Sequence, residues 1–345
     1  MSSKNNKQII NIVGWGGSGK SVLHSLLDGH PEILSDPIHT KIVAGFESFD
    51  ENNAAEQDIR TVRKHLDVRG YYNIEAIAFK KFLSIPLSSR PEDMITIPFP
   101  FDFYRFESSW TQRLSTHEKW SAESIVSLLY EEYGKELNLS NTFKGDFSNR
   151  RYVSTLGKVD SKNMKKISSQ HPTLKTILVK RNIEDIIATR VNRPAPKGFS
   201  NAELRRNWLE VLLRGEIQKI NNYYRYIENE AKKNPHSVKV IHFNDLVLDT
   251  EVVMDDVADF LNIEYKILLN RPSCFGVDVV SNGRSYVGNV NDSAKELLSR
   301  KRRLIIQIVD RMSKGSILFS TYSPIFTLII FRALKFINRT VSIKK

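Results

Sequence analysis

The sequence predicts an α/β fold, with a central parallel sheet, helices on its faces and helical insertions between strands. Two observations carry this. Gln8–Val13 is a short apolar run that feeds a glycine-rich turn, and behind it Val22, Leu23, Leu26 and Leu27 mark one face of a helix. The same strand-then-helix order returns at Thr176–Val179 and at Val238–Phe243, the second followed by a helical stretch over Asp249–Leu261. Strands alternating with helices build parallel sheets, and such sheets bind ligands at the carboxyl ends of their strands.

The first of these turns reads Gly14-Trp15-Gly16-Gly17-Ser18-Gly19-Lys20-Ser21, the Gly-x-x-x-x-Gly-Lys-Ser spacing of a P-loop. Glycines let the backbone curl so that successive N–H groups point at phosphate oxygens, and Lys20 adds a cation. Gly29 and Pro31 then stop the helix. The motif assigns Gly16, Gly17, Ser18, Gly19, Lys20 and Ser21 to a phosphate-bearing ligand and the chain to a three-layer P-loop NTPase-like fold.

Downstream residues narrow the ligand. Ser18-Gly19-Lys20-Ser21 followed by Leu26-Leu27-Asp28-Gly29-His30-Pro31-Glu32-Ile33 resembles the opening of the sulfotransferase family. There the loop binds the 5′-phosphosulfate of 3′-phosphoadenosine 5′-phosphosulfate (PAPS). Thr176–Val179, Arg181 and, eight residues later, Thr189 resemble the family's second cofactor element, in which an Arg and a hydroxyl residue hold the 3′-phosphate. Independently of the likeness, Arg181 leaves the carboxyl end of a β-rich run, and its planar fork suits a phosphate dianion. The competing reading pairs Arg181 with Glu184 or Asp185 on a helix surface.

Two later segments extend the resemblance. Val238–Val247 matches a strand and an aromatic-Asn-Asp-Leu turn, and the helix after it is expected to bury Val252, Val253, Val257, Phe260 and Leu261. Asn282-Gly283-Arg284-Ser285-Tyr286-Val287-Gly288-Asn289 matches a family loop that closes over the nucleotide, making Arg284 a further candidate for the 3′-phosphate. The likeness spans roughly residues 7–40 and 150–290. It departs from the family pattern at Gly17, where a Lys or Arg is usual, and at Lys20, where Thr is usual. Both changes make the loop more kinase-like.

What the resemblance implies is PAPS-dependent transfer of a sulfuryl group to an acceptor hydroxyl, here expected on a saccharide or glycolipid. No metal is called for, since the cofactor carries no triphosphate. By position after Pro31 the general base is His39, with Asp36 behind it; a neutral imidazole accepts a proton near pH 7. Lys158 falls near a family segment whose lysine faces the sulfonate. The alternatives from other classes are an ATP-dependent P-loop kinase or NTPase, with Ser21 on Mg²⁺ and Asp245 as the acidic partner, and a catalytically inactive nucleotide-binding protein.

The 345 residues suffice for one large domain, placed at 1–310, with 41–145 as a helical insertion on the substrate side and 311–345 as an apolar and basic tail. In the insertion, helices are expected over Ala54–Val68 and Ser121–Leu139. Its aromatics from Phe99 to Phe106 are expected in a core, and Trp110 and Trp120 are candidates to line an acceptor site. A single cysteine, Cys274, excludes an internal disulfide, and a first strand without a leader-like stretch before it makes the cytoplasm the expected location. The net charge is +12, and basic residues occur along the whole chain. No nucleic-acid module accompanies them, so nucleic acid is not an expected partner. The tail has two readings: packing on the domain, or peripheral docking at the inner face of a membrane. The sequence leaves the oligomeric state open.

Overall fold

The computed structural model describes residues 8–35, 82–86, 94–98, 102–116, 122–139, 150–155, 165, 167–169, 171, 173–191, 215–274, 276–278 and 298–315. Two compact units divide the chain. The first joins Met1–Gly14, Gly19–Lys180 and Glu230–Val290; the second joins Trp15–Ser18, Arg181–Asn229 and Asn291–Lys345.

The first unit holds the sheet. Its strands are β1 (Ile9–Val13), β2 (Ile33–Ser35), β5 (Arg151–Thr155), β6 (Lys175–Lys180) and β7 (Val238–His242), in the order β2-β5-β1-β6-β7 and parallel throughout. β1 lies in the middle and is buried at every position, as a parallel strand covered on both faces must be. Two-residue periodicity sends Ile10, Ile12, Val153, Ile177, Val179 and Ile241 to one face. There they meet helix α1 (Lys20–Leu27), whose Val22, Leu23, Leu26 and Leu27 are buried as the sequence predicts.

The other face carries Tyr152, stacked on Tyr130 with ring centroids 4.3 Å apart. Tyr130 belongs to α3 (Ala122–Leu139), which runs beside α2 (Phe103–Ser115). Its hydroxyl donates to the Val153 carbonyl at 3.0 Å. Helices therefore cover both faces of the sheet, and the predicted three-layer α/β architecture is the observed one. The region predicted as an insertion also contains an antiparallel hairpin, β3 (Phe82–Pro86) with β4 (Met94–Pro98).

The α2–α3 pair explains two of the expected aromatics. Phe106, Trp110 and Leu114 recur every four residues and are buried, so they form the inner stripe of α2. Trp110 is thus a core residue and is not exposed to an acceptor. Charged side chains fasten the pair: buried Glu136 takes Arg105 at 2.5 and 2.7 Å, and buried Glu132 takes Arg113 at 2.5 Å and the Ser109 hydroxyl. Trp120, Phe99–Phe101 and the helix expected over Ala54–Val68 lie outside the described residues.

After β7 the expected turn is a short helix, α6 (Phe243–Leu248), followed by α7 (Thr250–Leu261). The buried set on α7 is Thr250, Met254, Val257, Ala258 and Leu261, with Val253 and Phe260 half-buried beside it. Val252 is 70% exposed, contrary to expectation. It stands about 200° around the helix from Thr250 and from Met254, so the 3.6-residue period turns it to solvent.

In the second unit, α4 (Ile183–Val191) lies against α8 (Arg300–Gly315), and most of α5 (Glu216–Lys233) belongs to the same body. Asn221 of α5 donates to Asp310 of α8 at 2.7 Å and to Ser313 at 2.5 Å.

Candidate functional site

The glycine-rich turn occupies the carboxyl end of β1, where the fold places ligands. Gly17 and Gly19 have φ of +91° and +99°, a region that side chains rarely adopt. At Gly19 a second constraint applies: a Cβ there would sit 2.1 Å from the Phe243 ring. Gly16 differs, since a Cβ added to it would meet nothing within 4 Å. The turn is closed by Ser18, whose N–H donates to the Trp15 carbonyl at 3.0 Å and whose side chain is buried.

Gly19 also caps α1, accepting from Val22 N–H at 2.9 Å, and no acidic residue stands in the first turn of that helix. Its partial positive charge and orphan N–H groups are therefore not answered by a carboxylate of the helix itself. Lys20 Nζ donates to the Gly14 carbonyl at 2.8 Å, folding the cation back over the loop, and Ser21 is exposed.

In the second unit, Arg181 follows β6 directly. Its Nη1 donates to the Gly17 carbonyl at 3.1 Å, so the guanidinium lies on the glycine turn. Burial pulls its pKa below the ordinary value, with Asp185 and Tyr224 acting the other way. The backbone at Arg181 is held by the Tyr224 hydroxyl, which accepts from the Arg181 N–H at 3.2 Å. Asn182 starts α4 by accepting from Glu184 N–H at 3.1 Å. About two turns on, Thr189 packs on the same glycine: a Cβ on Gly17 would lie 3.5 Å from Thr189 Cβ and Cγ2. Its hydroxyl donates back to the Asp185 carbonyl at 2.8 Å. Gly17, Arg181 and Thr189, separated by up to 172 positions in sequence, are thus neighbours. His39, Asp36, Lys158 and Arg284 lie outside the described residues.

The segment Asp28–Glu32, matched above only by likeness, has a structural task. Asp28 Oδ2 accepts from the Ser273 hydroxyl and the Gly276 N–H, each at 2.8 Å; its burial raises its pKa while both donors lower it. His30, buried, has Nε2 3.0 Å from the Glu264 carbonyl, while its Nδ1 accepts from Glu32 N–H at 3.2 Å. Together these contacts select the neutral Nε2–H tautomer, and burial lowers its pKa. Glu32 binds Arg151 at 2.8 Å and the Glu264 N–H at 3.0 Å. These residues tie the end of α1 to chain more than 230 residues away. Short-range pattern reading does not reveal such long-range clamps. The one sequence signal is the density of Asp, His and Glu around a glycine in an otherwise apolar helix end.

Three or more His, Cys, Asp or Glu side chains converge nowhere among the described residues in a way that would hold a metal. No family model and no curated protein matches the chain. Solved structures do. The sulfotransferase domain from the curacin biosynthetic pathway aligns over 85% of this chain and 84% of its own, at 16% identity and a TM-score of 0.42. The sulfotransferase domain of the Synechococcus PCC 7002 olefin synthase aligns over 89% and 95%, at 13% identity and 0.45. Retinol dehydratase, solved with androsterone and inactive cofactor PAP, aligns over 89% and 80%, at 13% identity and 0.39. At such identities and scores the likeness decides no chemistry, which rests on the residues above.

Proposed function

We propose that the protein transfers a sulfuryl group from PAPS to an acceptor hydroxyl, on a saccharide or glycolipid. The observation that carries this reading is the guanidinium of Arg181 on the Gly17 carbonyl, with Thr189 packed on the same glycine. A half-buried arginine at a strand's carboxyl end, against a phosphate-type loop, is a fork for a second phosphate. A nucleoside triphosphate needs Mg²⁺ and a carboxylate to hold it. The described carboxyl ends of the strands around β1 instead carry Ser35, Thr155, Lys180 and His242.

The residues fit such a ligand. The open space at Gly16 and the left-handed turns at Gly17 and Gly19 leave room for an anion against the backbone. When bound, PAPS supplies a sulfuryl group already activated on a phosphoanhydride. Lys20, leaving the Gly14 carbonyl, and the N–H groups of Gly16–Ser21 would hold the 5′-phosphosulfate and would stabilise the charge left on the bridging oxygen when its bond to sulfur breaks. Arg181 takes the 3′-phosphate. Thr189 adds a hydrogen bond once its O–H swings away from Asp185, and Arg284 is assigned to the same phosphate. His39 is assigned the proton of the acceptor hydroxyl as oxygen bonds to sulfur.

Calorimetric titration with PAP, and separately with ATP and Mg²⁺, tests the reading. Metal-independent PAP binding supports it; Mg²⁺-dependent ATP binding with no PAP binding would establish a kinase-type site instead, and binding of neither an inactive protein. Arg181→Ala should weaken PAP about 10- to 100-fold, the worth of a charge-assisted contact, while adenosine 5′-phosphosulfate is held as before. Equal losses for both ligands would make Arg181 a structural residue.

A further inference from the structure

We propose that the solvent face of α8 docks on an anionic lipid bilayer. The charge of the protein is lopsided. Residues 300–345 hold eleven Lys and Arg against the single acid Asp310, so this stretch carries ten of the twelve net positive charges. Ile305, Ile306, Val309 and Ser313 face inward on α8. Arg300, Leu304, Gln307, Arg311 and Lys314, at i, i+4, i+7, i+11 and i+14, line the exposed face, with Lys301 beside them. Asp310, the one acid, borders this face: it accepts from Asn221 and from Lys314, each at 2.7 Å, and so offsets Lys314 but not the other cations. Among the described residues no carboxylate pairs with Arg300, Lys301 or Arg311.

The placement of these charges is unfavourable inside the protein. The first turn of α8 contains only basic residues and no acid, at the helix end whose dipole is already positive. An external anion relieves that repulsion. Charge alone fits nucleic acid as well as lipid, but two apolar features distinguish them. Leu304 is 50% exposed on the same face. Beyond Gly315 the sequence runs through Ile317, Leu318 and Phe319 to Ile329, Ile330 and Phe331 before five more cations, with no Asp or Glu to the end. A headgroup region accepts apolar side chains and cations together, whereas a phosphate backbone answers only the cations. No helix among the described residues, which end at Gly315, is long and apolar enough to cross a membrane.

Co-sedimentation of the full chain with vesicles tests this. Binding is expected to vesicles of phosphatidylcholine with phosphatidylglycerol, to be absent on phosphatidylcholine alone, and to weaken as salt rises. Changing Arg300, Lys301 and Arg311 together to alanine should weaken binding about a hundredfold, at about fivefold per cation. Its melting temperature should not fall, since like charges leave a helix start; Leu304→Ser should weaken binding several-fold in a protein of unchanged charge. A full-length variant with Arg332, Lys335, Arg339, Lys344 and Lys345 changed to glutamine is the comparison. If that variant alone loses binding while the α8 variants match the wild type, α8 is not the docking face. Equal affinity for vesicles with and without phosphatidylglycerol, or binding to duplex DNA but not to vesicles, also overturns the proposal.

Discussion

The two ends of α1 carry adjacent parts of one sequence signature and do opposite work. At the amino end the turn keeps backbone exposed: Gly16 has empty space where a side chain would go, Ser21 faces solvent, and Lys20 bends back to the Gly14 carbonyl. At the carboxyl end Asp28, His30 and Glu32 turn inward onto Ser273, Gly276, Glu264 and Arg151. A buried carboxylate or imidazole that answers several donors and acceptors of distant chain is held by the fold, and a backbone left open contributes little to stability. The pair teaches that a run of quoted motif residues is not uniformly a site.

The largest effect belongs to Lys20. Lys20→Ala should lower sulfuryl transfer by about 10²–10³-fold, the range for losing one preorganised donor to a developing anion. Its melting curve should stay close to the wild type, because Lys20 is only half-buried and contributes no side chain to the apolar core. Turnover above about a tenth of the wild-type value, in folded protein, breaks the contrast at this end.

Asp28→Ala is the counterpart at the other end. It strands the Ser273 hydroxyl and the Gly276 N–H, and abandoned partners cost roughly 1–3 kcal/mol each. Relief of burying the carboxyl offsets part of this, so urea unfolding should show a loss of about 3 kcal/mol. A variant that unfolds like the wild type but no longer binds PAP would move Asp28 from the fold to the site.

A smaller effect is expected from acid. His171, just before β6, is buried, and burial lowers its pKa to about 4. Unfolded, it protonates near 6.5, so below that pH the unfolded chain binds more protons and stability falls as pH falls, down to the folded value. At pH 5 the loss from this one group is about 2 kcal/mol. His30 acts in the same direction, since burial lowers its pKa too. Urea melts at pH 7 and pH 5 should therefore show His171→Leu losing about 2 kcal/mol less than the wild type between the two. Equal losses would show that His171 does not resist protonation in the fold.

Much of the frame was readable because its signals are local. The strands before Gly14, Arg181 and Phe243 are apolar runs with a period, and the glycine turn has a spacing that only a loop of this kind requires. The face of α7 was misread because three valines outweighed geometry, although Thr250, Met254, Val257, Ala258 and Leu261 keep the helical period and Val252 does not. The grip of Asp28 on Gly276 and of Tyr224 on Arg181 lies beyond such reading. Each joins positions 43 to 248 apart, and nothing local marks either partner. Buried Glu132 and Glu136 escaped for a related reason: in a charged helix a carboxylate facing inward looks like its solvated neighbours until Arg105 and Arg113 arrive from α2.

The smallest change to the fold gives the finest test of the comparison. Gly16 needs no left-handed backbone, and a Cβ on it would meet no atom within 4 Å, so Gly16→Ala should leave the unfolding free energy within about 0.5 kcal/mol of the wild type. A small gain is the expected sign, since alanine narrows the unfolded ensemble. The same methyl stands where an anion must approach the loop, so PAP binding should weaken several-fold while Arg181 and Lys20 remain in place. If Gly16→Ala binds PAP as the wild type does, the ligand does not rest on this part of the backbone, and the open space at Gly16 is only a surface. If it unfolds the protein, the loop is a structural element after all, and the two ends of α1 do the same work.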